Sequence, residues 1–197
     1  MELFPIFVKL ARRRCVVIGA GEIGAAKIAG LLACDANITV VAPEATGMVR
    51  AAADAGKLTW HARAFAPADL EGMFLAVAAT GSPETNHRIY SEANQRGVLC
   101  NVVDDPDHCD FFYPAIVRRG ALQIAISTGG LSPALARRLR QELEAEFGPE
   151  YEAWVEEVGQ ARRQILDRDL PDEERQRQLN EIASRKAFEA FVRKTRG

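Results

Sequence analysis

The chain has 197 residues, 48% of them hydrophobic, and a formal net charge of −2, which is enough for one full core and a smaller appendage. With aromatics at only 7% and no basic block, it offers no electrostatic footprint for nucleic acid. Its longest apolar runs, 15–20 and 74–79, fall far short of the roughly 20 residues that cross a bilayer, so no membrane partner is expected.

From the start, Met1-Glu2-Leu3-Phe4-Pro5 shows no positive stretch ahead of a long apolar one. No secretory signal is read there, and a cytoplasmic location is expected. Residues 15–18 form the first predicted strand, a helix follows over 22–32 with Ile23, Ile28, Leu31 and Leu32 toward the sheet, and 38–41 form the second strand. Further strands are expected at 58–61, 74–79 and 98–103, with a helix at 84–95 between the last two. Strands alternating with amphipathic helices give βαβ units and an open parallel sheet, so the fold class is α/β, Rossmann-type. After Asp104 the pattern changes. Extended runs at 111–117 and 122–127, separated by Arg118-Arg119-Gly120, read as a hairpin. Ser132-Pro133 supplies an N-cap and an N1 proline for a helix reaching about Phe147, ended by Gly148-Pro149. The charged remainder reads as two or three helices broken near Leu170-Pro171. The expected domains are a dinucleotide-binding domain at 1–113, a hairpin-and-helix segment at 114–148 and a helical domain at 149–197. The four cysteines, Cys15, Cys34, Cys100 and Cys109, form no CxxC pair, and free thiols are expected.

The strongest chemical signal is Gly19-Ala20-Gly21-Glu22-Ile23-Gly24, directly after a strand and opening a helix. The first glycine permits the tight turn, the second lets the backbone approach a pyrophosphate, and the third lets helix and strand pack closely, with the helix N-terminus facing the negative charge. An acidic residue that grips the adenosine ribose belongs at the end of strand two. There the chain reads Val41-Ala42-Pro43-Glu44, so Glu44 comes slightly late. No arginine stands at 42 or 43 to receive a 2′-phosphate, which favours NAD over NADP, although Arg50 is near enough in sequence to keep NADP open. Thr80-Gly81-Ser82 leaves strand four on the same sheet edge and is either a cofactor contact or a plain strand–helix turn. Just past strand five, Asp104 is either a turn residue or a carboxylate placed to move a proton beside the nicotinamide.

The chain resembles the precorrin-2 dehydrogenases of siroheme and cobalamin biosynthesis, including the N-terminal half of bifunctional siroheme synthases. Carrying the resemblance are Leu3-Phe4-Pro5-Ile6-Phe7, Val17-Ile18-Gly19-Ala20-Gly21, Lys27, Ala78-Ala79-Thr80, Asn101-Val102-Val103-Asp104, Phe111 with Pro114-Ala115, and Ser127-Thr128-Gly129-Gly130-Leu131-Ser132-Pro133-Ala134-Leu135-Ala136. It implies NAD-dependent oxidation of precorrin-2 to sirohydrochlorin by a homodimer whose central segment exchanges contacts between subunits. Asp104 is then the catalytic carboxylate. Glu22-Ile23 and Pro43-Glu44 hold the dinucleotide through their backbone, with Thr80 nearby. Thr128 departs from the serine common in the bifunctional relatives, which leaves any regulation at that hydroxyl open.

A tetrapyrrole carries many carboxylates, and the capped helix start at Ser132 followed by Arg137, Arg138 and Arg140 is an expected anion-binding face. The alternative is a solvated face pairing with Glu142 and Glu144. No metal site is read: His108-Cys109-Asp110 lacks tetrahedral ligand spacing and reads as a solvent-exposed loop, while His61 and His87 read as surface or strand-edge residues. Some relatives also insert iron into sirohydrochlorin. The short chain with no fused methyltransferase favours a stand-alone dehydrogenase. From another class, a NAD-sensing regulatory module would share the fold without needing Asp104 or the 129–136 segment.

Overall fold

The computed structural model describes residues 2–196. The chain divides into two compact units, one holding Leu3–Tyr113 and the other the residues from Pro114 onward.

In the first unit, β1 (Arg14–Ala20), α1 (Glu22–Leu32), β2 (Asn37–Ala45), α2 (Gly47–Asp54), β3 (Thr59–His61), β4 (Leu75–Ala78), α3 (Pro83–Gln95) and β5 (Leu99–Val102) build a five-stranded sheet of order β3-β2-β1-β4-β5. All its ladders are parallel. Cys15, Val16 and Val17 in β1 are fully buried because a central parallel strand is covered on both faces. One face packs Val17, Val40 and Ile38 against Ile28 and Val49. The other packs Val16, Ile18 and Ala76 against Leu70, Ile89 and Ala93. Cysteines follow the same logic: all four are free thiols, and burial pushes Cys15 up to about 11 and Cys100 up to about 12, so both stay protonated core side chains. Among the described residues no helix is long and apolar enough to cross a membrane.

The open parallel sheet is the expected one, and its strands fall within a residue or two of their predicted places except at the end of β2. Helix α2 was not read from the sequence. Its buried positions are only Val49 and Ala52, too small an apolar face to stand out.

In the second unit, β6 (Ala115–Arg119) and β7 (Leu122–Ile126) form the hairpin, followed by α4 (Pro133–Glu146), α5 (Glu150–Leu166), α6 (Asp172–Ile182) and α7 (Arg185–Arg196). Two details differ from expectation. The first hairpin strand starts at Ala115, not at 111. The turn is Gly120-Ala121, because Arg119 pairs with Leu122 and Gly120 takes the left-handed φ of 55°. The C-terminal helices are three, the first break falling where Leu170-Pro171 placed it. Their core is aromatic: Tyr151 stacks on Phe188 with centroids 4.4 Å apart, and Trp154 packs on Phe188 and Phe191.

Arg119 ties the hairpin to the end of α4. Its Nε donates to the Phe147 carbonyl at 2.8 Å and its terminal nitrogen to the Glu144 carbonyl at 3.0 Å, supplying donors to carbonyls that the helix end leaves open. Arg119→Ala is expected to lower stability by about 1 kcal/mol, read as a lower urea midpoint at unchanged slope. The neighbouring exposed Arg118→Ala should leave the midpoint where it is.

Candidate functional site

The carboxyl ends of β1, β2, β4 and β5 lie along one edge of the sheet, since Ile18 pairs with both Val41 and Ala78, and Ala78 pairs with Val102. The strand order turns back between β1 and β4, so the segments leaving those strands frame the crevice where such sheets bind ligands.

The glycine-rich turn fills the centre of that edge. Gly19 has φ 101°, and a Cβ there would lie 2.2 Å from the Ala79 carbonyl oxygen. A Cβ on Gly24 would lie 2.2 Å from the Gly19 carbonyl oxygen, so α1 meets the turn backbone to backbone. Gly21 is different. It is the N-cap of α1 with an ordinary φ of −70°, no side chain caps the helix, and an added Cβ would meet no protein atom within 4 Å. Neither packing nor conformation demands glycine at 21. Glycine there leaves the first amides of α1 open to an approaching anion, a chemistry that a dinucleotide pyrophosphate would fit.

On the neighbouring strand the register explains the late Glu44. Ile18 pairs with Val41 but Ala20 pairs with Ala45, so four residue steps of β2 lie opposite two of β1, and Pro43 and Glu44 are displaced outward and exposed. Thr46 follows. Its amide donates to the Ala20 carbonyl at 3.1 Å, and its buried hydroxyl has no hydrogen-bond partner among the described residues, an open polar atom beside the glycine turn. Arg50 leans back to the end of β2, its Nε donating to the Ala45 carbonyl at 2.8 Å.

Thr80 is held by Asn86, a residue that the sequence reading did not single out. The Thr80 hydroxyl donates to Asn86 Oδ1 at 2.7 Å, and Asn86 Nδ2 donates back to the Thr80 carbonyl at 3.2 Å. Asn86 is buried on α3 beside Ile89 and Ala93, and the signal for it was that spacing: a polar residue on an otherwise apolar helix face. Past β5, Asp104 is exposed and takes a left-handed φ of 60°, in a turn closed by the Asp105 amide donating to the Val102 carbonyl at 3.3 Å. A non-glycine residue held there stores strain of the kind that marks functional turns. Lys27 on α1 lies close enough to feel the Asp104 charge, its pKa lowered by burial against that pull, and its ammonium sits 3.7 Å from the Tyr113 ring centroid.

The segment 108–110, expected as a solvent-exposed loop, is a loop with Asp110 exposed but His108 and Cys109 half-buried. Asn101 pairs with Cys109 in an isolated bridge, Cys109 Sγ donates to the Val102 carbonyl at 3.2 Å, and Asp110 accepts from the Cys100 amide at 2.8 Å.

In the second unit Ser132 caps α4, its hydroxyl accepting from the Leu135 amide at 3.2 Å. Arg138 pairs with Glu142, and Arg140 with Glu144, while Arg137 is exposed and has no carboxylate partner among the described residues.

The sheet order, the glycine turn and the open start of α1 define a dinucleotide-binding domain of the Rossmann class. Residues 6–115 match the family described as "Putative NAD(P)-binding", and the chain belongs to that family. Residues 119–146 match the family described as "Sirohaem biosynthesis protein central". Among curated proteins, the siroheme synthase of Photorhabdus laumondii is 43% identical over 145 residues, 74% of this chain and 31% of its own length. Siroheme synthase 1 of Serratia proteamaculans is 37% identical over 188 residues, 95% of this chain and 37% of its own length. The chain thus spans about a third of the length of these relatives. Among solved structures, "SirC, precorrin-2 dehydrogenase" superposes with a TM-score of 0.81 at 25% identity over 98% of both chains.

Gly21→Val is expected to fold yet to weaken dinucleotide binding at least ~100-fold, about 2.8 kcal/mol, in calorimetric titration. Gly19→Val, whose Cβ would collide with the Ala79 backbone, should instead lose folded protein, seen as a lost thermal transition.

Proposed function

We propose that the chain is a NAD-dependent dehydrogenase that oxidises precorrin-2 to sirohydrochlorin. The observation that supports this reading is the likeness to a precorrin-2 dehydrogenase structure over 98% of both chains, joined to an aspartate in a left-handed turn at the end of β5, on the sheet edge that also carries the glycine turn.

Desaturating the macrocycle removes a hydride and a proton from it. Bound NAD supplies the hydride acceptor. Glu22 and Ile23 would hold its pyrophosphate through their amides at the turn shaped by Gly19, Gly21 and Gly24, Pro43 and Glu44 would hold the adenosine ribose, and Thr80, tied to Asn86, would contact the nicotinamide half. Asp104 is the catalytic residue, taking the proton as the hydride leaves. Lys27 keeps a cation near that carboxylate, on the side where a polyanionic substrate is drawn. Ser132, Arg137 and Arg138 receive substrate carboxylates, Arg137 most directly because it carries no competing ion pair among the described residues.

NAD rather than NADP is supported by Ala42 and Pro43, where no cation stands, and by Arg50 being engaged with the Ala45 carbonyl. A homodimer built through the 114–148 segment is supported by the exposure of Ile116, Leu131 and Leu135 there, with Leu131 92% exposed. A cytoplasmic location suits four free thiols. A second reading adds iron insertion into sirohydrochlorin. It draws on the relatives named siroheme synthase, one aligned over 95% of this chain, and is measured by iron insertion without NAD.

Anaerobic incubation with precorrin-2 and NAD should produce the sirohydrochlorin absorbance, with NADP a poorer acceptor. Asp104→Asn should lower kcat by about 10²- to 10⁴-fold while NAD binding is unchanged. Full activity in that variant overturns the assigned role of Asp104. No turnover by the parent chain with either dinucleotide overturns the reaction.

A further inference from the structure

The exposed face of α3 and the turn after β5 meet in a cluster that the dinucleotide site does not use. His87 Nε2 lies 2.7 Å from Asp105 Oδ2, and His108 Nδ1 lies 2.8 Å from the same oxygen. The two imidazoles stack with centroids 4.2 Å apart and planes 25° from parallel. Tyr90, one turn along α3 from His87, meets His108 edge-on at 5.1 Å.

These separations have a chemical reading. Two ligand atoms bound at about 2.1 Å from one metal ion, with angles between 90° and 109°, lie about 3.0–3.4 Å apart. The three ligand atoms of His87, Asp105 and His108 all fall within 4.8 Å of one another, and two of the three distances are already shorter than a metal would set. Admitting an ion takes an opening of these two hydrogen bonds by a few tenths of an ångström together with a turn of the stacked rings about their side-chain torsions, so that the in-plane lone pairs of both imidazoles converge on it. Two imidazoles and one carboxylate form the donor set that suits divalent first-row transition metals and leaves open positions for water.

The supports are rigid, which a preformed site requires. His87 follows the buried Asn86 on α3, and Asp105 and His108 bracket a helical turn pinned by the His108 amide donating to the Asp105 carbonyl at 3.2 Å. The Cys109 thiol faces the Val102 and Asp105 carbonyls at 3.2 Å each, so the donor set is nitrogen and oxygen rather than sulfur. His87 is half exposed, which gives an ion a path from solvent. A simple tie between helix and loop needs one imidazole on Asp105; the second, converging on the same oxygen, is what a metal site adds.

We propose that His87, Asp105 and His108 bind one divalent transition-metal ion, such as Co²⁺, Ni²⁺, Zn²⁺ or Fe²⁺, at the carboxyl edge of the sheet. None of the three has a part in the dehydrogenase reading, so the two stand or fall separately.

Titration of the full chain with Co²⁺, followed by visible absorbance and calorimetry, should show one saturable ion per chain. His87→Ala, His108→Ala and Asp105→Asn should each weaken it at least ~10-fold, and His87→Ala should do so with the thermal transition and NAD titration of the metal-free protein unchanged. His87→Ala is the decisive variant, because His87 is exposed on a helix surface and its loss leaves the β5 turn intact. Absence of saturable binding up to millimolar Co²⁺ overturns the proposal, as does an affinity in His87→Ala within twofold of the parent's.

Discussion

The carbonyl oxygen of Gly19 occupies the space that a side chain at position 24 would need, and the Ala79 carbonyl does the same for a side chain at 19. This double contact of backbone on backbone is the constraint from which the functional edge follows. It seats α1 directly on the end of β1 and closes β1 against the segment leaving β4. It also points the first amides of α1 into the crevice with no side chain over them. The starts of α3 and α4 are closed by side chains, since Ser82 and Ser132 each accept from the amide three residues on, whereas the start of α1 has no such cap and keeps its amides free for an anion.

The rest of the edge is arranged around that turn by polar groups placed with little freedom. The widened register of β2 pushes Pro43 and Glu44 outward and brings Thr46 back to the Ala20 carbonyl, so the end of the second strand and the glycine turn share one backbone hydrogen bond. On the other side, buried Asn86 and Asn101 do comparable work. Asn86 holds Thr80 through hydroxyl and carbonyl, and Asn101 donates to the Phe111 carbonyl at 2.8 Å, fixing the path of the loop that follows Asp104. Each buries an amide only because its partners are supplied, and each therefore specifies one position for the backbone it holds.

How much of this was legible follows from the range of the interactions. The glycine turn, the Ser132-Pro133 cap and the alternation of strands and helices are local, and the sequence displays them. Glu44 reads as late because a register shift depends on the partner strand, and periodicity within β2 carries no trace of it. Helix α2 hides behind alanines, and the sequence opens the hairpin turn two residues early because Arg118 and Arg119 look like turn residues but pair in the ladder. Asn86 was readable in principle from the apolar face it interrupts. The meeting of His87 with Asp105 and His108 was not, since 18 positions, the rest of α3 and the whole of β5 separate the first two.

Asp104 and Asp105 show how a single backbone dihedral divides labour between identical side chains. Two successive aspartates after a strand look interchangeable in sequence. The left-handed φ at 104 turns the chain so that Asp105 faces α3, and the imidazoles of His108 in its own turn and of His87 on that helix take its oxygen and hold its carboxyl below the usual range. Asp104 faces outward instead, exposed, with no hydrogen bond on its carboxylate among the described residues. Under the proposed reading, in which Asp104 exchanges a proton with the substrate, its unengaged carboxylate contrasts with that of Asp105, which is taken up by two imidazoles. The strain at 104 is what allows one turn to offer both, and aspartate, which tolerates the left-handed region better than most side chains, is the residue type that can sit there without glycine's loss of function.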